Sequence, residues 1–207
     1  MTLHIWGRMS SINVRKVVFA VQELGLSAQR TDAGGHFGLV TEPAYRGKNP
    51  NGMVPLLEDG EATLWESNVI VRYLCARHAM GTLYPEPLAA RFAAEMWMDW
   101  QQTTLNPAGR NAFLQLVRTA PEQRNDTLIA QSVAETEPLL DLLDAELAKR
   151  PHLAGDEFTM ADIPVACEIH RWYGLPLTRP ARPNLDRWYQ AVSGRPGAAG
   201  VLDMALS

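Results

Sequence analysis

The chain reads as an α/β domain followed by an all-helical one, and three observations predict this. Short apolar runs and amphipathic stretches alternate through the first 78 residues. A segment with two prolines and no periodicity, Met80-Gly81-Thr82-Leu83-Tyr84-Pro85-Glu86-Pro87, interrupts the pattern. Everything after it carries helical spacing only. The expected division is therefore residues 1–79, a linker at 80–87 and a helical unit at 88–207.

Leu3 and Ile5 alternate with polar neighbours and run into Trp6, which predicts a first strand ending at Gly7. Val14, Val17, Val18, Val21 and Leu24 then recur at helical steps, with Gly25 as the stop. Ser10 and Ser11 fall at the start of that helix, where a hydroxyl either caps the helix or faces an anion in its positive field. A second strand is expected at Ala28–Thr31. Residues 32–53 are irregular and glycine-rich, with one helical turn near Glu42–Arg46. A loop of that length in a compact domain suits a binding loop. Its His36, Arg46 and Lys48 either face an anionic ligand or are simply solvated.

Asn49-Pro50-Asn51-Gly52-Met53-Val54-Pro55-Leu56-Leu57-Glu58-Asp59-Gly60 organises the domain. Asn51-Gly52 and Asp59-Gly60 are turn signals that bracket a short buried strand. Pro55 stands at the head of that strand, where its missing N–H costs little. The stretch alone favours a trans proline in a plain turn. A cis bond would leave the N–H and C=O of Val54 available to an extended peptide ligand. Ala62–Trp65 is the hairpin partner, and Glu66-Ser67-Asn68 opens a helix with Ser67 as the expected cap. Strand, helix, strand, loop, hairpin and helix in this order form the thioredoxin-like arrangement, with the first two strands parallel.

In the second unit, Phe92, Met96 and Trp100 recur at four-residue steps in a helix over 88–104, which Pro107 and Gly109 are expected to kink or interrupt. Residues 126–149 form another long helix, which Pro138 inside it is expected to bend or divide. Thr159-Met160-Ala161-Asp162 is a variant capping box with Phe158 and Ile163 as its hydrophobic staple, a stability device without chemistry. A last helix spans about Pro183 to Val192.

Composition narrows the function. The formal net charge is -4, with no basic patch, so a nucleic-acid or anionic-membrane partner is not expected. No apolar run approaches a membrane span, and the N-terminus lacks the pattern of a secretory signal. Two cysteines, Cys75 and Cys167, sit in apolar helical patterns, which points to core packing in a reducing cytoplasm. The five histidines show no ligand spacing, so no metal site is expected.

Ser11-Ile12-Asn13-Val14-Arg15-Lys16-Val17, NPNGMVPLLEDG, Leu64-Trp65-Glu66-Ser67-Asn68 and Ala154-Gly155-Asp156-Glu157-Phe158-Thr159-Met160-Ala161-Asp162 together resemble the cytosolic glutathione S-transferases. The nearest likeness is the theta-like bacterial group with a serine at the first helix. The resemblance implies a thioredoxin-like N-terminal domain, a helical C-terminal domain, a homodimer and glutathione as co-substrate. It implies a cis Val54–Pro55 bond, with Val54 main-chain groups on the cysteinyl part and Glu66 and Ser67 on the γ-glutamyl end. Ser11 aligns with the hydroxyl that stabilises the thiolate, and Asn13 is its rival.

Arg15 either assists the thiolate electrostatically or only solvates the first helix, and the second is expected. Met53 stands where many relatives carry lysine and cannot bind the glycyl carboxylate; His36, Arg46 or Lys48 are the substitutes. The implied activity is conjugation of glutathione to small hydrophobic electrophiles, as in detoxification (EC 2.5.1.18-like). The electrophile is expected between the two domains, near Met9, Trp97, Trp100, Phe113, Trp172 and Tyr173, although aromatics at such positions are more often core than pocket. A non-catalytic module of the same fold, or a glutathione-dependent peroxidase or dehalogenase, are the alternatives.

Overall fold

The computed structural model describes residues 3–207. Strand β1 (Leu3–Trp6) leads into helix α1 (Ile12–Glu23), and β2 (Ala28–Thr31) returns parallel to β1. After a short helix α2 (Pro43–Arg46), β3 (Leu56–Asp59) pairs antiparallel with β1 and forms a hairpin with β4 (Ala62–Trp65). The mixed sheet has the order β2-β1-β3-β4, and α3 (Ser67–His78) follows it. All four strands lie where the sequence places them. Leu3, Ile5 and Leu57 turn to the same core as Val14 and Val17 of α1 and Ile70 and Leu74 of α3. Helix α1 ends in a Schellman motif. Gly25 takes φ 64, Leu26 N–H reaches the Val21 carbonyl and Gly25 N–H reaches Gln22.

The helical region begins with α4 (Leu88–Trp100), α5 (Asn106–Phe113) and two wider π-helical turns, Gln101–Leu105 and Leu114–Arg118. The regular α-helix is therefore interrupted just before Pro107, as expected, and resumes through Gly109. The wide turn before Pro107 lets its ring pass without ending the helix. Gly109 serves close packing, since a Cβ there would stand 3.4 Å from the Trp172 ring. Helix α6 (Asp126–Leu147) carries Pro138 inside it and buries Leu140, Leu143 and Leu147. Helices α7 (Asp162–Tyr173) and α8 (Pro183–Ser193) complete the region. Among the described residues no helix is long and apolar enough to cross a membrane.

The capping box has the expected bonds. Thr159 N–H donates to Asp162 Oδ2 at 3.0 Å and Ala161 N–H to Thr159 Oγ1 at 3.3 Å, although the regular helix starts only at Asp162. Asp162 does more than close the box. Its Oδ1 also accepts from Leu153 N–H at 3.1 Å and from Trp188 Nε1 at 2.8 Å, so one buried carboxylate ties α7, α8 and the preceding loop together.

A buried polar chain joins the sheet side to the helical side. Lys16 of α1 is fully buried, and its Nζ donates to Gln101 Oε1 at 2.7 Å and to Gln102 Oε1 at 3.1 Å. Gln101 Nε2 donates to Glu168 at 3.0 Å, and Glu168 pairs with Arg171, which also holds Asn106 Oδ1 at 3.0 Å. Burial lowers the Lys16 pKa to about 8, with Glu168 pulling the other way.

Candidate active site

The site forms where β1, α1, the segment before β3 and the start of α3 meet. The Val54–Pro55 peptide bond is cis, the isomer the resemblance implies. The turn before it is held from behind. Asn49 is buried and accepts from Asn51 N–H at 3.1 Å, while its Nδ2 donates to the Met53 carbonyl at 2.9 Å. Tyr45 Oη donates to the same carbonyl at 2.6 Å. Gly52 at φ 61 completes the turn; a Cβ there would come within 2.9 Å of the Val40 carbonyl. Among the described residues the Val54 N–H and C=O have no hydrogen-bond partner. They are suited to the main chain of an extended ligand.

Ser11 occupies the N-cap position of α1, with φ -92 and ψ 121. Its carbonyl accepts from Val14 and Arg15, but its hydroxyl makes no cap bond. Of the two sequence readings of Ser11, the structural one is therefore not realised. Instead Ser10 and Ser11 line a cavity of about 200 Å³ together with Arg8, Phe113, Arg118 and Leu206.

Glu66, not Ser67, holds the N-cap position of α3. It adopts φ 70 and ψ 110, a region that side chains rarely occupy. Ser67 is the first residue of the helix and is buried; its hydroxyl donates to Asn13 Oδ1 at 3.3 Å instead of capping. Asn13 is thus joined to the residue expected at the γ-glutamyl end. The first turns of α1 and α3 meet here through that bond.

Three sequence expectations need correction. Arg15 does not solvate α1. It is buried, with Nε on the Met9 carbonyl at 2.8 Å and its Nη atoms on the carbonyls of Val201, Met204 and Ala205. Burial pushes its pKa below the ordinary value. Lys48 is engaged elsewhere, 2.8 Å from Glu58 and over the Trp6 ring. Most of the aromatic side chains expected around an electrophile are core. Trp97 and Trp172 are buried, Trp100 packs edge-on against Trp97, and Tyr173 donates to Asp186 at 2.7 Å. Phe113 alone of that set lines the cavity, with Met9 in the neighbouring depression beside Arg8 and His36. Met53 is 66% exposed and His36 is exposed as well.

Cys167 touches the cavity, but burial pushes both its thiol and that of Cys75 up to about 12, which suits packing and not nucleophilic chemistry. The residues that local reading missed are Arg8, Arg118, Arg171 and His170. None belongs to a recognisable spacing, because the fold brings them together from three distant segments.

Comparison with known proteins agrees with this geometry along the chain. Residues 1–76 match the model of the glutathione S-transferase N-terminal domain and residues 105–196 that of the C-terminal domain. The chain is 44% identical to glutathione S-transferase GstB of Escherichia coli K12 over 98% of its own length and 99% of that protein. It is 32% identical to glutathione S-transferase 3 of Zea mays, covering 94% of this chain and 90% of that one. The theta class enzyme of Xanthomonas axonopodis pv. citri, solved with glutathione bound, superposes with a TM-score of 0.96 at 41% identity, covering 100% of this chain and 99% of the other. The four-stranded mixed sheet, the helices that follow it and these full-length likenesses together place the chain in the glutathione S-transferase family.

Proposed function

We propose that this chain is a glutathione transferase that ionises the glutathione thiol and directs it at an electrophile between the sheet side and the helical side. The observation that carries the reading is the uncommitted Ser11 hydroxyl at the start of α1, opening into the cavity. An unperturbed thiol has a pKa of about 8.5, so lowering it by roughly two units requires about 2.7 kcal/mol of preference for the thiolate. One hydroxyl donor and a helix N-terminus are together of that size. Val54 main-chain groups take the cysteinyl part, and Glu66 and Ser67 take the γ-glutamyl end. Asn13, bonded to Ser67, supports that end more directly than the sulfur.

The domain division at 80–87 is part of this reading, supported by the gap between the end of α3 at His78 and the start of α4 at Leu88. A homodimer is supported by exposed apolar side chains on two adjacent elements, Val69 on α3 and Leu88, Phe92 and Met96 on α4. Arg72 links those helices by its ion pairs with Glu95 and Asp99. Two free, buried thiols suit a reducing cytoplasm.

Ser11→Ala is the test. It should raise the pKa of bound glutathione by about 1.5 units, since the helix N-terminus remains, and lower turnover roughly eightfold near neutral pH, with most of the loss recovered above pH ~9. Ultraviolet titration of the bound thiolate reads the first effect and initial rates read the second. A larger effect from Asn13→Ala, with Ser11→Ala nearly silent, would transfer the role to Asn13.

A further inference from the structure

We infer that the electrophile this site takes is an anion, with a carboxylate seated between Arg8 and Arg118 and its reactive carbon facing Ser11. The inference rests on the transferase reading above and narrows its substrate. Four guanidinium groups line the cavity beside Ser11: Arg8, Arg15, Arg118 and Arg171. Among the described residues no Asp or Glu side chain lines it. Arg171 is neutralised by Glu168, and Arg15 is held by main-chain carbonyls. No Asp or Glu side chain pairs with Arg8 or Arg118 among the described residues, and Arg118 holds only the oxygens of Ser10 and Ser207.

The position already accepts oxygen ligands. Arg118 Nη2 donates to the Ser10 main-chain oxygen at 3.2 Å and to that of Ser207, so the guanidinium stands within one residue of Ser11. Its Nε and Nη1 have no partner among the described residues, which suits a carboxylate. Burial, and next the repulsion from Arg8, lower the Arg118 pKa, so the two cations are close and an anion between them relieves both. Ile12, Phe113 and Leu114 supply the apolar wall for the rest of the molecule. For an aryl halide the thiolate sulfur forms the C–S bond at the halogen-bearing carbon, and chloride leaves with the C–Cl electron pair. The thiol proton has already gone to solvent, and the negative charge that develops on the ring falls beside the same guanidiniums.

Matched substrates test this: 4-chloro-3,5-dinitrobenzoate and its methyl ester, each rate divided by its uncatalysed rate with glutathione. The carboxylate should be preferred in kcat/KM by about tenfold, the scale of one hydrogen bond to a charged group. Arg118→Gln and Arg8→Gln should each bring the ratio close to unity while the Kd for glutathione stays unchanged. Equal or better use of the ester, or variants that keep the ratio, overturns the inference and leaves the transferase reading intact. Loss of glutathione binding in the variants also overturns it, because the arginines would then serve the tripeptide. Calorimetric titration of unreactive 3,5-dinitrobenzoate into the glutathione-loaded protein separates the two readings. Binding that depends on Arg118, with no turnover of either chloride, keeps the anion site and sinks the transferase; no binding sinks the anion site.

Discussion

The two walls of the cleft are built from different material. The sheet-side wall is mainly main chain, with Val54 beside a proline, a glutamate at positive φ and the amides of two helix starts. Local turn chemistry shapes it, and its side chains largely serve to hold the backbone, as Asn49 and Tyr45 do at the Met53 carbonyl. The helical wall is made of side-chain ends, Phe113, Leu114, Arg118 and Arg171 among them. Main-chain groups recognise a peptide-like ligand whatever the neighbouring side chains are. Side-chain ends can be exchanged one at a time without disturbing the fold. The first wall therefore suits a fixed co-substrate and the second a variable one.

If that contrast is right, a single methyl group should damage the first wall most. Gly7 has φ 150, and a Cβ there would stand 2.4 Å from Val14 Cγ2 and 3.2 Å from Val54 Cβ. Gly7→Ala should cost about 3 kcal/mol of stability and weaken glutathione binding at least about tenfold. Thermal unfolding and calorimetry check this, and a silent Gly7→Ala breaks the contrast.

The joint between the walls comes next. Lys16→Met leaves the Gln101 and Gln102 oxygens without their donor and should cost about 2 kcal/mol near neutral pH. Because burial lowers the folded pKa to about 8 from 10.5, the unfolded chain holds the extra proton between those values. This group's contribution to stability therefore rises with pH across that window, by about 3 kcal/mol at most. The gap between parent and variant should widen from pH ~7 to pH ~10 in urea unfolding. A gap that narrows would show that Lys16 is charged in the folded state throughout.

Glu66→Gly should separate stability from binding. It relieves the positive φ and stabilises by about 1 kcal/mol, yet removes the carboxylate proposed for the glutathione ammonium. Unfolding and affinity should move in opposite directions. The smallest effect is expected at exposed Met53. Met53→Lys adds a solvent-screened cation and should tighten glutathione about threefold, the size of a surface ion pair. A tenfold gain there would mean that the first wall also depends on side-chain charge.

The same contrast explains what was legible in the sequence. Asn51-Gly52, Asp59-Gly60 and Gly25 are local signals, and the elements they bound appear where they are read; the Thr159 box forms its bonds, but the regular helix behind it starts only at Asp162. Ser67 was misread as a cap because its hydroxyl goes to Asn13, 54 positions away, and a cap signal carries no information about such a partner. Arg15 looked like a surface charge because its acceptors, near residues 201–205, follow it by 186 positions or more in three of its four bonds. Pro107 interrupts the regular helix without ending it because a wider turn absorbs it, and no propensity scale records that option. Arg8 and Arg118 share no periodicity, so only folding reveals them as neighbours.

Arg15 carries one more lesson, about ionic strength. Main-chain carbonyls solvate its guanidinium without cancelling its charge, so the cleft keeps a positive field that its local bonding does not extinguish. Charged reactants should be gathered from a distance and lose that advantage as added salt shortens the screening length toward about 3 Å at 1 M. Uncharged reactants should arrive at the same pace in dilute buffer and in brine.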